Sequence, residues 1–92
     1  MGGSADPSVI SDLEAKLASD GKDQQARHDL SLALFGQQRY EEAFKHALDI
    51  VKMDKEWEGG KGRELLFKFF DTLGNSHPEV LKARRRMASL LF

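Results

Sequence analysis

Cysteine is absent from the 92-residue chain. That removes disulfides, thiolate nucleophiles and zinc–thiolate sites together, and it fits a cytoplasmic protein. Proline occurs only at Pro7 and Pro78, and β-branched residues are few. Val9, Ile10, Ile50, Val51, Thr72 and Val80 are the whole set, and they are scattered. No stretch alternates apolar and polar residues for the length of a strand, so a sheet has nothing to be built from. No apolar run is long enough to span a bilayer, and no signal-peptide pattern is present. Fourteen Lys and Arg residues against fifteen Asp and Glu leave a net charge of −1. This gives no global attraction to nucleic acid or to an acidic membrane.

What is present is helical periodicity. With 40% hydrophobic and 32% charged residues, the chain has the composition of one ordinary folded domain with one core. Met1-Gly2-Gly3-Ser4 reads as a leader outside the fold, which leaves residues 5–92 as the domain. Asp6 is placed to cap a first helix with Pro7 at its first position, and Ile10, Leu13 and Leu17 follow at helical spacing. Asp20-Gly21-Lys22-Asp23 interrupts it. Asp23 is a cap for a second helix over about Gln24–Phe35. Ala26, Leu30, Ala33 and Leu34 form its inner stripe, and Leu32 and Phe35 add a second apolar side, as in a helix held between neighbours. After Gly36-Gln37-Gln38, a third helix carries Tyr40, Ala43, Phe44, Ala47, Leu48 and Val51 on one stripe, with Glu41 and Glu42 at its positive end.

Trp57-Glu58-Gly59-Gly60-Lys61-Gly62 reads as a loop, with Trp57 capping the end of the helical stack or serving as a binding hot spot. Leu65, Leu66, Phe69, Phe70 and Leu73 mark a fourth helix, stopped at Gly74-Asn75. Ser76-His77-Pro78-Glu79 has the form of a capping box, with Ser76 as cap and Glu79 reaching back. Val80, Ala83, Met87, Leu90 and Leu91 line the inside of a fifth helix. Short connections favour antiparallel neighbours. The expected fold is therefore all-α, a stack of antiparallel helical hairpins with four to five helices.

Catalytic and metal chemistry find no constellation. The serines lack a nucleophile elbow. Glu41 and Glu42 adjoin in sequence and do not face one another on a helix. His28, His46 and His77 lie on different segments without ligand spacing. Gly59-Gly60-Lys61-Gly62 lacks the preceding strand and the Lys-Ser/Thr pair of a phosphate loop. Asp20-Gly21-Lys22-Asp23 lacks the oxygen ladder of a calcium loop. No enzyme activity, cofactor or metal is expected.

Helices two and three resemble one tetratricopeptide repeat, a helix–turn–helix of about 34 residues. Arg39-Tyr40-Glu41-Glu42-Ala43 is similar to the start of the repeat's second helix. Leu30 and Leu34 occupy apolar positions of the first, and Asp54 matches the acidic residue that ends the repeat. The resemblance implies that Tyr40 packs between the helices and that Ala43 marks a close crossing. Ser31 stands in place of the preferred Gly and Lys55 in place of Pro. Ile50 replaces the second small residue, which implies wider packing onto the next helix.

The last third is more specific. Arg63-Glu64-Leu65-Leu66, Phe70-Asp71-Thr72-Leu73-Gly74, His77-Pro78 and Arg84-Arg85-Arg86-Met87-Ala88-Ser89-Leu90-Leu91-Phe92 resemble the C-terminal end of the bacterial thioredoxin-fold co-chaperones called chaperedoxins. Ala5-Asp6-Pro7 is similar to the start of that family's last helical section, and Ala83 stands where many relatives have an aromatic residue. The resemblance implies a C-terminal domain of a longer chain, without its thioredoxin domain. The full protein would hold client proteins and pass them to the bacterial chaperonin, with the helical end as the docking part.

On that reading the partner-binding residues are Lys82, Arg85, Arg86, Leu91 and Phe92. The basic run Lys82, Arg84, Arg85 and Arg86 has two other readings: a solvated face favoured by the helix dipole, and a phosphate contact whose affinity would fall steeply with salt. Leu90-Leu91-Phe92 either completes the core stripe or anchors in a partner's groove. A structural or dimerising scaffold is the alternative function, because one repeat cannot bury both its faces.

Overall fold

The computed structural model describes residues 7–91, with the side chains of Pro7 and Leu91 left out. It contains five α-helices among these residues: α1 (Pro7–Ser19), α2 (Gln24–Gly36), α3 (Tyr40–Met53), α4 (Lys61–Leu73) and α5 (Pro78–Leu91). No described residue is in a strand. The sequence expectation of an all-helical hairpin stack holds. Asp6, the expected cap of α1, lies outside the described residues.

α3 is the centre. It packs against α2, α4 and α5, while α1 covers α2 and α5 makes only a small contact with α4. α3 and α5 run side by side in the same direction. Glu41 shares a groove with Glu79 and Lys82 at one end, and Lys52 shares one with Ser89 and Leu90 at the other. The α3 stripe is buried: Ala43, Phe44, Ala47, Leu48, Ile50 and Val51 are each at most 4% exposed. Tyr40 sits half-buried at the edge, between the Phe35 ring of α2 and the His77 ring before α5. Phe35 stacks on Phe69 with centroids 4.1 Å apart, and Phe44 meets Phe69 edge-on. These rings join α2, α3 and α4 into one core, since aromatic pairs combine large burial with a preferred geometry.

Local signals explain most helix ends. The Asp23 carboxylate accepts the Ala26 N–H at 3.0 Å, as expected of an N-cap. Two expectations are corrected. The capping box at α5 does not form, because the His77 ring is the cap: its Nδ1 accepts the Glu79 N–H at 3.1 Å, and Glu79 turns to Lys82 instead. The expected loop over Trp57–Gly62 is a short 3-10 turn at Trp57–Gly59, and α4 begins at Lys61. Trp57 packs half-buried against the core, beside the His28 ring. Of the second apolar side expected on α2, Phe35 packs against the core and Leu32 does not. Leu32 is 38% exposed, whereas Ser31 is fully buried and donates its hydroxyl to the Ala43 carbonyl at 2.6 Å.

α2 ends in a Schellman turn displaced from its glycine. Arg39 N–H bonds to the Leu34 carbonyl and Gln38 N–H to the Phe35 carbonyl, which places Gln38 at the left-handed position, φ 63°. Gly36 lies two residues earlier, inside the helix. There it loses backbone entropy with no steric need, since a Cβ would meet nothing within 4 Å. A second displaced glycine sets the α3–α4 distance. A Cβ on Gly62 would stand 2.7 Å from Ile50 Cγ2. The wider packing expected from Ile50 is thus avoided, because the small residue of this contact is on α4.

Gly36→Ala and Gln38→Gly should each raise unfolding free energy by about 0.5–1 kcal/mol, additively, in urea titrations. Gly62→Ala should cost about 1–3 kcal/mol by overpacking, and Ile50→Ala about 2–5 kcal/mol by opening a cavity. The double variant should cost less than the sum by at least ~0.5 kcal/mol, because each change relieves the other; strict additivity in the same titrations would refute the contact.

Candidate protein-interaction surface

The inner face of α5 is committed to the fold: Val80, Ala83 and Met87 are buried and Leu90 is half-buried against the core. That periodicity leaves the basic residues outside. They do not act as one patch. Lys82 pairs with Glu79 at 3.6 Å, one turn back. Arg84 is held twice, donating to the Asn75 side-chain oxygen at 2.6 Å and lying over the Phe70 ring at 4.8 Å. This cation–π contact fixes α5 to α4. Arg85 and Arg86 are exposed, and neither makes an ion pair with a described residue. Leu91 ends α5, its side chain and all of Phe92 lying outside the described residues.

Charge across α3 and α5 is graded along the helices. Their first turns carry Glu41, Glu42 and Glu79. Farther along, Lys45, Lys52 and Arg86 line a shared groove. Sequence reasoning missed Lys45 and Lys52. The signal was their spacing of two turns on the flank of the α3 stripe, which matters only once α5 is placed beside it. At the start of α3, Arg39 and Glu42 form a two-pronged ion pair at 2.8 Å. The hydrogen bond from Arg39 holds the Glu42 carboxyl below its ordinary range. Among the described residues no group of three His, Cys, Asp or Glu is placed to hold a metal ion. No described helix is long and apolar enough to cross a membrane.

Two histidines, His28 and His46, sit half-buried in the helical stack. Burial is the first cause lowering the proton affinity of both His28 and His46. Lys61 adds to it at His28, and Arg27 at His46. Below about pH 6.5 the unfolded chain therefore binds more protons than the folded one, and stability falls with falling pH. The urea midpoint should drop between about pH 7.5 and 5.5, a window above carboxylate titration, and His28→Gln/His46→Gln should reduce that slope.

A family model described as the tetratricopeptide repeat matches residues 3–92. Neither the curated proteins nor the solved structures contain a match to the chain. The matched span takes in α4 and α5 as well as the α2–α3 pair. The buried α3 stripe, the crossing at Ala43 and the parallel placement of α3 and α5 suit stacked helical pairs, which present extended surfaces to protein partners. The chain belongs to the tetratricopeptide repeat family.

Proposed function

We propose that residues 5–92 are the interaction domain of a thioredoxin-fold co-chaperone of the chaperedoxin kind, acting in the bacterial cytoplasm, and that the outer face of α5 with its apolar tail docks on the chaperonin. The observation that carries the reading is the division of labour among the arginines. Arg84 is consumed by Asn75 and Phe70, whereas Arg85 and Arg86 stand exposed on a helix whose other face is locked into the core. The resemblance of Arg84–Phe92 to the docking end of that family supplies the partner.

The mechanism has two stages. Lys82, Arg85 and Arg86 steer the domain toward an acidic surface, raising the association rate more than the affinity. Leu91 and Phe92 then enter an apolar groove, and burial of their side chains supplies affinity in the helix-in-groove mode. Exposed apolar side chains on α2 and α4, Leu32 and Phe67, are the proposed contacts for clients or for the thioredoxin domain. Nothing in this mechanism requires catalysis, a cofactor or nucleic acid.

Size-exclusion chromatography with purified bacterial chaperonin tests the docking. The intact domain should co-elute. Arg85→Glu/Arg86→Glu and a chain ending at Leu90 should each weaken binding at least ~10-fold, about 1.4 kcal/mol, with helicity unchanged by circular dichroism. Co-elution of the double arginine variant at full strength removes the arginines from the mechanism. If the intact domain fails to co-elute, the domain is a scaffold for the longer chain.

A further inference from the structure

The groove between α3 and α5 has a volume of about 240 Å³, and of its lining the docking reading uses Arg86 alone. Leu48 and Leu90 form an apolar floor; Lys45, Lys52 and Arg86 stand around it, with Asp49 the one carboxylate in the lining among the described residues. The Asp49 carboxylate lies 3.9 Å from Arg27 of α2, so its charge is already met from outside the groove. None of the three groove cations pairs with a described residue, and all three are exposed. A chain of net charge −1 thus gathers unbalanced positive charge around one apolar hollow.

The spacing suggests what fits. Lys45 and Lys52 lie two turns apart on α3, about 10 Å along its axis. In an extended segment, carboxylates four residues apart share one face with the side chain midway between them, and their separation of about 13 Å is bridged by two flexible lysine side chains. An apolar side chain between them would reach the Leu48–Leu90 floor while Arg86 closes the opposite wall. Nucleic acid suits the groove poorly, because its lining offers no aromatic ring for a base to stack on.

We propose that the α3–α5 groove captures an acidic segment of a partner protein, with one large apolar side chain seated between two carboxylates. The site shares Arg86 with the docking face but depends on Lys45 and Lys52, which docking through the α5 tail does not use. It therefore stands whether or not the domain binds chaperonin.

The test is fluorescence anisotropy with a fluorescein-labelled synthetic peptide carrying two glutamates four residues apart with a leucine midway between them, beside the same peptide with glutamines. The domain should bind the acidic peptide saturably, with affinity falling as salt rises. Lys45→Glu/Lys52→Glu should weaken it by about tenfold or more, since two rim contacts turn repulsive, and Arg85→Glu, outside the groove, should leave it unchanged. Should the reversals unfold the domain, Lys45→Gln/Lys52→Gln carries the same comparison. Absent saturable binding, equal binding of the glutamine peptide, or an equal loss in Arg85→Glu overturns the proposal. So does a random DNA duplex that binds more tightly than the peptide and loses affinity in the lysine variant, which would assign the lysines to phosphate.

Discussion

The burial of α3 on several sides at once is the constraint from which the rest of the structure follows. A single amphipathic helix needs one partner; α3 has three, α2, α4 and α5. Its residues divide the work by size. Ala43 and Ala47 are fully buried with no bulk to spare, while Phe44, Leu48, Ile50 and Val51 supply volume to the packed interior. Close-packed interiors tolerate little mismatch in volume, so each neighbour is placed by the side chain it meets. Gly62 brings the start of α4 up to Ile50. Phe69 and Phe70 follow from that placement and pack around Phe44, the first edge-on and the second stacked.

Close approach also accounts for the one buried polar side chain among the described residues, Ser31. A hydroxyl in an apolar interface costs free energy unless it is bonded. Here it is bonded across the hairpin, to the carbonyl of Ala43. The resemblance to the repeat marked Ser31 as a departure from Gly. The departure retains a small side chain and adds a cross-link between α2 and α3. Gln24 makes a second link at the other end of the hairpin, donating its side-chain N–H to the Ile50 carbonyl at 3.2 Å. Both bonds span residues distant in sequence, so neither is visible in helical periodicity.

The surface is arranged by the same packing. α5 is set on α3 by Val80, Ala83 and Met87, and 3.6-residue periodicity then carries its basic residues to different neighbours. Arg84 reaches back to Phe70 and Asn75, Arg86 overlooks the groove to α3, and Arg85 is exposed to solvent. A run of three arginines in sequence thus becomes one structural contact and two charges with no ion-pair partner among the described residues. Lys45 and Lys52 join Arg86 only because α3 and α5 lie parallel. Nothing in the basic run of α5 points to two lysines on another helix.

The sequence by itself determined the helices, their order and most of the core. Those properties depend on local spacing: an apolar residue every three or four positions, Asp23 before Gln24, Pro at the head of α1 and α5. It also showed which residues were absent, and so excluded a sheet and thiolate chemistry. Only the tertiary structure decided which signal prevailed where two competed. Ser76 and His77 were both within reach of the α5 terminus, and the ring took the cap, packed against Tyr40. Gly36 offered the left-handed turn, yet Gln38 adopted it, because the helix continued through Gly36 before the chain turned into α3. Leu32 and Ser31 are one residue apart, and the close approach of Ala43 buried the smaller, more polar one. In each case the deciding atom belonged to a distant part of the chain, and a distance between distant parts is set by packing, which local spacing does not encode.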